Sequence, residues 1–194
     1  MNKPFSQACE NNKEPILEQL RRLFVTSSKV LEIGSGTGQH AVHFAGHLPH
    51  LQWHTSDQPD YHSGILAWLS EAQLPNLQAP VAFKIGHHAF PQGSFDAVFT
   101  ANTAHIMQMA EVQTMMELVA NALPPGGVFC QYGPFTQEGQ FSSNSNAAFH
   151  ARLLEQGYGG YRDLSELLIW ANPMILSEVI DMPANNLMLV WCKQ

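Results

Sequence analysis

Three glycines stand at alternate positions in the stretch 31–40, which reads LEIGSGTGQH. Gly34, Gly36 and Gly38 follow a short apolar run that contains one acidic residue, Glu32. A chain lacks side chains in this pattern where a ligand lies close against its backbone. Because a strand-like segment precedes the glycines and a helical pattern follows them, the loop is typical of a site for a nucleotide-like ligand.

Asp57 is the candidate for binding a ribose, because a carboxylate accepts hydrogen bonds from both ribose hydroxyls. Asp57 ends the next strand-like segment, 23 positions after Gly34. In nucleotide-binding folds the acid that binds the ribose follows the glycine motif by roughly 20 residues. The helix that begins near Gly38 offers free backbone N–H groups to a negative group. The dinucleotide fingerprint requires glycine or alanine where this chain has Gln39. The loop therefore departs from that fingerprint, although Asp57 suits any ligand that carries a ribose.

Alternating helices and strands must position these residues. Apolar residues recur at helical spacing in four segments, which are 12–25, 39–48, 61–74 and 111–123. Short apolar, β-rich runs occupy five others, which are 29–34, 51–57, 81–86, 95–102 and 126–133. This alternation predicts an α/β fold in which helices cover both faces of a mostly parallel sheet. Pro15 is expected in the first turn of the first helix, with Asn12 as a candidate N-cap.

The last third of the chain has a different pattern. The polar segment 136–149 is expected to be a loop that leads into a helix, and 163–171 to be a helix capped by Asp163 and Glu166. Two strand candidates, 177–182 and 187–192, are separated by four residues. So short a connection can join only antiparallel strands. The sequence therefore predicts a seven-stranded sheet that ends in an antiparallel hairpin.

Composition excludes several classes of protein. The chain has 194 residues, of which 45% are hydrophobic and 13% charged, and its net charge is −7. Nucleic-acid binding needs clustered Lys and Arg, which this chain lacks. The three cysteines are far apart, so neither a disulfide scaffold nor a structural zinc site is expected. Without an apolar leader or a spanning segment, the chain is predicted to be a soluble cytoplasmic protein with no membrane partner.

Glu32, the spacing of Gly38 and the terminal hairpin together resemble the class I S-adenosylmethionine (SAM) methyltransferases, in which an acidic residue precedes G-x-G-x-G. Further motifs extend the resemblance over nearly the whole chain; they are ENNKEPILEQL at 10–20, YGPF at 132–135, SSNSN at 142–146, GYRD at 160–163 and DMPANN at 181–186. They are similar to family 938 of the domains of unknown function, the methyltransferase-like 26 type. The resemblance implies one Rossmann-like domain over 1–194 and SAM as the cofactor.

The resemblance also implies roles for single residues. Glu32 would orient the loop and the methionine amino group, and the three glycines would let the backbone approach SAM. The other cofactor contacts that it implies are Ser35, Thr37, Asp57, Gln58, Gly86, His87, Asn102 and Thr103. Many relatives carry an aspartate near adenine after the third strand, where this chain has Gly86 and His87. Helix 12–25, with Asn12, would fold over the cofactor, and loop 134–146 would lie near the site.

Two residues are candidates for catalysis on the acceptor side of the expected site. His105, just after the fourth strand, is a candidate general base, or a histidine that caps a loop. Tyr132, at the end of the fifth strand, would contact the substrate or pack under the next loop. Four asparagines are candidates for lining a substrate pocket or for forming turns, namely Asn144, Asn146, Asn185 and Asn186.

Three functions remain open from the sequence. The first is a SAM-dependent methyltransferase that acts on a small-molecule acceptor, and the second a SAM-binding sensor or scaffold without turnover. The third, a nucleotide-dependent oxidoreductase, is disfavoured by Gln39 and the terminal hairpin. A metal site is not expected, because His40, His43 and the histidines that follow them lack an accompanying carboxylate and are interpreted as a partly solvated helix face.

Overall fold

The computed structural model describes residues 3–194. Its nine strands are β1 Lys29–Ile33, β2 Gln52–Asp57, β3 Leu77–Ala82, β4 Ala97–Ala101, β5 Val128–Gly133, β6 Phe135–Thr136, β7 Arg162–Asp163, β8 Met174–Met182 and β9 Asn186–Lys193. Its six α-helices are α1 Gln7–Leu23, α2 Gln39–His47, α3 His62–Ala72, α4 Met109–Ala122, α5 Asn144–Glu155 and α6 Leu164–Trp170.

Seven strands form one mixed sheet in the order β3-β2-β1-β4-β5-β9-β8. The pairs β1–β2, β1–β4 and β2–β3 are parallel, whereas β9 is antiparallel to both β5 and β8. The predicted fold class is therefore confirmed, including the hairpin at the end of the sheet. By contacts within the chain, the described residues up to Thr100 form one compact unit and Ala101–Gln194 a second.

The N-terminal unit is centred on aromatic side chains between α2 and the parallel strands. Trp53, Phe44 and Phe99 are fully buried, and their ring centroids lie 5.4–5.9 Å apart. Such tilted and edge-on contacts stabilise a core beyond the area they bury. This core fixes α2 against β2 and β4, the two strands that pair with β1, so the loop that joins β1 to α2 has a rigid base.

The C-terminal unit has its core around α4, β5 and β9. Met115 and Val119 of α4 and Phe129 and Trp191 of the strands are fully buried. The capping box of α4 joins Gln108 and Glu111, and that of α6 joins Asp163 and Glu166 as expected. A separate pair of two-residue strands, β6 and β7, was not predicted, because such short segments carry no pattern.

The prediction for the third strand was wrong. The strand is Leu77–Ala82 rather than 81–86, and Phe83 and Ile85 are buried from a non-strand segment. The strand lies at the edge of the sheet and is largely exposed, so it lacks an apolar run. Pro80, which has no N–H to donate, is tolerated at an edge, and the pairing with β2 shifts register there.

The first helix also differs from its prediction. It begins at Gln7, where the hydroxyl of the N-cap Ser6 accepts a hydrogen bond from the backbone of Cys9 at 3.4 Å. Asn12 therefore lies inside the helix and is not its N-cap, and Pro15 lies in the helix interior rather than in the first turn. No helix of residues 3–194 is long and apolar enough to cross a membrane.

Candidate functional site

The glycine loop has a backbone conformation that other residues rarely adopt. Gly34, Gly36 and Gly38 have φ values of 75°, 56° and 91°. A Cβ on Gly38 would lie 3.1 Å from the Cα of Ile65, so glycine there lets α3 pack closely against the start of α2. A Cβ on Gly36 would meet no atom within 4 Å. The loop therefore has open space over its middle glycine, as the approach of a ligand requires.

The carboxylate of Asp57 is fixed at the end of β2. Its Oδ2 accepts a hydrogen bond from the backbone N–H of Gly36, and its Oδ1 accepts one from the N–H of Gln58, both at 2.7 Å. The side chain is 8% exposed, and burial raises the pKa of the carboxyl, against which the two hydrogen bonds act. Each oxygen has a lone pair left, so the group can accept from hydroxyls as well.

Glu32 supports the loop from below. Its Oε2 accepts hydrogen bonds from the Ser35 hydroxyl at 2.9 Å and from the indole N–H of Trp53 at 3.1 Å. The Ser35 hydroxyl also accepts from the backbone of Ser56 at 3.1 Å. Burial raises the pKa of Glu32 to about 7; the two donors lower it and the charge of Asp57 raises it further. A cation bound nearby would stabilise the ionised form of this buried carboxyl, because an opposite charge favours ionisation.

A cavity of about 340 Å³ borders the open side of the loop within the N-terminal unit. Its wall includes Gly36 and Thr37 of the loop, Tyr61 just before α3, Gly64 within α3, and Pro4. Small-molecule sites have volumes of about 300–1,000 Å³, so this cavity accommodates part of a nucleoside-sized ligand.

Gln39 fastens the beginning of α1 to the loop. Its side-chain oxygen accepts from the Ser6 backbone at 2.6 Å and from the Thr37 hydroxyl at 3.0 Å. Its amide nitrogen donates to Glu10 at 2.8 Å. Gln39 is 3% exposed. The residue that breaks the dinucleotide fingerprint therefore has a structural task that glycine or alanine could not perform.

A second buried pair holds α1 against α2. The Nε2 atom of His40 lies 2.7 Å from the Oδ1 atom of Asn12, and both side chains are buried. His40 stacks on Phe44, and burial lowers the pKa of its imidazole to about 4. The prediction of a solvated histidine face is therefore wrong for His40, although His47 is exposed. Among residues 3–194, no group of three or more His, Cys, Asp or Glu side chains could hold a metal ion.

Three of the proposed adenine-side residues are exposed. Gln58 follows Asp57 directly, whereas Gly86 and His87 come four and five residues after the end of β3. Gly86 has a φ of 77°, and the His87 N–H donates to the carbonyl of Lys84 at 3.0 Å in a tight turn. Their placement directly after the third strand was wrong, because that strand ends at Ala82.

In the C-terminal unit, Asn102 and Tyr132 lie side by side. The Asn102 N–H donates to the Tyr132 carbonyl at 2.9 Å, and Asn102 has a left-handed φ of 58°. The carbonyl of Thr103 accepts from the backbone of Ile106 at 3.0 Å. The Tyr132 side chain is buried, and its hydroxyl accepts from the Asn186 amide at 3.1 Å.

His105 is packed in an aromatic cluster. Its ring centroid lies 5.8 Å from that of Phe149 and 6.2 Å from that of Tyr161. The side chain is 6% exposed, and burial lowers the pKa of the imidazole to about 4. These surroundings favour a packing role, and the role of general base stays a prediction.

The candidate asparagines have different surroundings. Asn185 and Asn186 line a cavity of about 330 Å³ in the C-terminal unit. Asn146 is buried and donates to the Asn185 carbonyl at 3.0 Å. Asn144, the first residue of α5, is exposed.

Sequence reasoning missed Gln39 and Asp163 as organising residues. In the sequence, Gln39 stands out only as a mismatch to the dinucleotide fingerprint, because its partners Glu10 and Ser6 are 29 and 33 positions away. Asp163 was expected only as a helix cap, yet its Oδ2 also accepts from the Thr136 hydroxyl and from the Gly139 N–H, both at 2.8 Å. The motif GYRD contains Asp163 but does not indicate these partners, which are 27 and 24 positions away in the chain.

Solved methyltransferases share this fold at low sequence identity. An O-methyltransferase family protein from Burkholderia thailandensis matches with a TM-score of 0.81 and 13% identity, over 94% of this chain and 56% of its own. Human N-acetylserotonin methyltransferase in complex with SAM matches with a TM-score of 0.74 and 12% identity, over 96% and 58%. An O-methyltransferase family 2 protein from Planctomyces limnophilus in complex with apigenin gives 0.75 and 15%, over 86% and 51%. The chain thus spans little more than half of these proteins and has a class I methyltransferase-like fold.

The family of this chain is identified by a match over nearly its whole length. Residues 3–193 match the model of a family described as "Protein of unknown function (DUF938)", and the chain belongs to that family. The resemblance drawn from the separate sequence motifs is therefore confirmed.

Proposed function

We propose that the protein is a SAM-dependent methyltransferase that acts on a small-molecule acceptor. The observation that carries the proposal is the contact of the Asp57 carboxylate with the N–H of Gly36, beside open space over that glycine. This arrangement presents a fixed acceptor for ribose hydroxyls next to a bare stretch of backbone. The fold shared with solved methyltransferases supports the choice of SAM as the nucleoside ligand.

Residues of the N-terminal unit would bind the ribose, the adenine and the methionine amino group of SAM. Asp57 would accept from the ribose hydroxyls, and Gln58 lies beside it for the adenine. Glu32, buried below the loop, would balance the positive charge of the methionine amino group. Gly34, Gly36 and Gly38 would leave room for the cofactor against the loop. The helix α1, fastened through Gln39 to the loop, would close over this site.

When bound, SAM supplies a methyl group on a sulfonium that leaves as a neutral thioether, so no oxyanion hole is needed. The protein's part is then mainly to align the acceptor, which can provide much of the acceleration. A base is useful where the acceptor must lose a proton. His105 and Tyr132 remain the proposed candidates, and the buried, low-pKa state of His105 weighs toward Tyr132.

A second candidate function, a SAM-binding sensor or scaffold without turnover, is favoured by the packing of His105 against the rings of Phe149 and Tyr161. One experiment separates the two functions. The protein is incubated with SAM and a panel of phenols, amines, thiols and carboxylic acids. Mass spectrometry then follows the conversion of SAM to its demethylated form. Acceptor-dependent product supports the methyltransferase. Saturable SAM binding without product on any member of the panel supports the sensor.

A further inference from the structure

A second cavity, of about 330 Å³, lies wholly within the C-terminal unit. Four of its lining residues are apolar: Phe135, Phe141, Met182 and Leu187. Phe135, Met182 and Leu187 are buried, so this part of the wall is firm. The volume falls at the lower end of the range for small-molecule sites and suits a compound built on one ring.

The polar part of the wall consists mainly of carboxamides, from Gln137, Gln140, Asn185 and Asn186. A carboxamide both donates and accepts hydrogen bonds without carrying charge. Among the ten described residues that line the cavity none is basic, and Asp181 is the one acid. An anionic ligand would lose its hydration without gaining an opposite charge, so the lining disfavours anions. Asp181 is exposed, so solvent screens its charge and a cationic ligand gains little from it.

The wall on the side of Gln137 and Gln140 is held in place from outside the cavity. The Asp163 carboxylate accepts from Thr136 and from the Gly139 N–H, both at 2.8 Å. Asp163 thereby fixes the loop that carries the two glutamines.

The wall at Asn185 is both anchored and strained. The buried Asn146 amide donates to the Asn185 carbonyl at 3.0 Å and to the Ser142 hydroxyl at 2.9 Å, and so it joins two residues that line the cavity. Ala184 and Asn185 both have left-handed backbones, with φ values of 58° and 57°. For alanine this conformation costs free energy, and residues held in such conformations cluster at active and ligand-binding sites.

We infer that this cavity binds an uncharged, single-ring small molecule through its aromatic rings and its carboxamides. The Asn186 amide, which lines it, also donates to the hydroxyl of Tyr132, the candidate catalytic residue. The cavity would then be the acceptor pocket. That use rests on the proposed methyltransferase function, whereas the binding itself does not.

Three isosteric probes test the charge preference, namely benzamide, benzoate and benzamidinium. The protein is labelled with ¹³C at the methionine methyl groups, and each probe is titrated while the resonances are followed by NMR. Met182 lines the cavity, whereas Met115 and Met116 are buried in α4 and serve as internal controls. Benzamide is expected to shift Met182 alone, with a dissociation constant of about 1 mM for so small a ligand.

Two outcomes would overturn the inference. One is benzoate or benzamidinium shifting Met182 at concentrations where benzamide does not. The other is Met182 remaining unshifted by all three probes.

A pair of phenylalanine variants tests the position of the ring. Phe141 lines the cavity and lies 5.7 Å from the ring of Tyr161; Phe149 lies 6.2 Å from the same ring but does not line the cavity. Phe141→Ala is expected to weaken benzamide binding about threefold to tenfold, the loss for one aromatic contact. Phe149→Ala is the matched control for damage to the shared cluster. Equal weakening in both variants would contradict the assignment.

Failure of this inference can be told apart from failure of the proposed function. SAM is titrated into the same labelled sample before the probes are added. If SAM binds and benzamide leaves Met182 unshifted, the cavity assignment is wrong while the cofactor proposal stands. If benzamide shifts Met182 but SAM does not bind, the cavity stands as a ligand site and its use as an acceptor pocket is refuted.

Discussion

The Oδ2 atom of Asp57 accepts a hydrogen bond at 2.7 Å from the backbone N–H of Gly36, a residue 21 positions earlier in the chain. This contact joins the end of β2 to the loop after β1, and it fixes the carboxylate beside the open face of Gly36. The parallel pairing of the two strands brings the groups together. The proposed cofactor site depends on this relationship more than on any other.

Replacing Asp57 is therefore expected to weaken SAM binding. Asp57→Ala removes the acceptor for the ribose and leaves the Gly36 N–H without its partner, so SAM affinity should fall about tenfold to a hundredfold. Asp57→Asn keeps an oxygen for Gly36 but loses the charge, so its SAM affinity should lie between those of the native protein and Asp57→Ala. Calorimetric titration measures all three proteins. Unchanged affinity in Asp57→Ala would remove this residue from the site.

Glu32 is expected to make stability depend on pH. Its pKa of about 7 in the folded protein exceeds the value of 4.5 for an unperturbed glutamate. The folded state therefore binds more protons than the unfolded state between these values, and the contribution of Glu32 to stability falls as pH rises from about 4.5 to 7. His40 and His105, whose pKa values are lowered to about 4, act in the opposite direction between about 4 and 6.5. The effect of Glu32 must therefore be measured as a difference between proteins.

Glu32→Gln removes the buried charge and keeps an oxygen for Ser35 and Trp53. We expect its free energy of unfolding to exceed that of the native protein by about 2–3 kcal/mol at pH 8 and by less than about 1 kcal/mol at pH 5. Urea denaturation at the two pH values measures the difference, with the exposed Glu18→Gln as control. A difference independent of pH would show that Glu32 does not titrate in this range. Loss of SAM affinity in the same variant would support its role toward the amino group.

Gln39 is expected to stabilise the first helix. Gln39→Ala removes the bonds to Ser6, Glu10 and Thr37 and leaves buried polar groups unpaired, which should lower the free energy of unfolding by about 2–3 kcal/mol. Backbone amides at the start of α1 should also exchange faster with deuterium. Gln19→Ala removes an oxygen that accepts exposed hydrogen bonds from Arg22 in the same helix, and it should change stability by less than about 0.5 kcal/mol. Similar effects of the two substitutions would contradict this role.

The two candidate catalytic residues can be separated once an acceptor is known. We expect His105→Phe, which keeps a ring between Phe149 and Tyr161, to leave turnover within about threefold of the native rate, because a buried base of such low pKa contributes little. Tyr132→Phe should lower turnover at unchanged SAM affinity. A loss of about a hundredfold or more in His105→Phe, with SAM binding intact, would instead identify His105 as the base.

Much of the fold could be predicted because the buried strands carry apolar runs and the helices carry a regular apolar spacing. β1, β2, β4 and β5 were placed to within about two residues for this reason. β3 was misplaced because an exposed edge strand with a proline has no such pattern. The start of α1 was misplaced because Asn12 has the residue type of a cap but is buried against His40, a contact between residues 28 positions apart.

For the candidate site, the sequence indicates the conformation of the backbone loop better than it indicates contacts between distant residues. The glycines and Asp57 follow from strand–loop–strand spacing, and their conformation agrees with the role proposed for them. The buried state of His105 depends on rings more than 40 residues away in the chain. No local pattern around ANTAH contains that information.

Isothermal titration of SAM into the protein tests the central claim most directly. We predict saturable one-to-one binding, with the demethylated product competing for the same site and NAD giving no saturable heat. The same titration of Asp57→Ala should show the loss of affinity described above. Saturable binding of NAD without binding of SAM would contradict the account, as would the absence of saturable SAM binding to the folded protein.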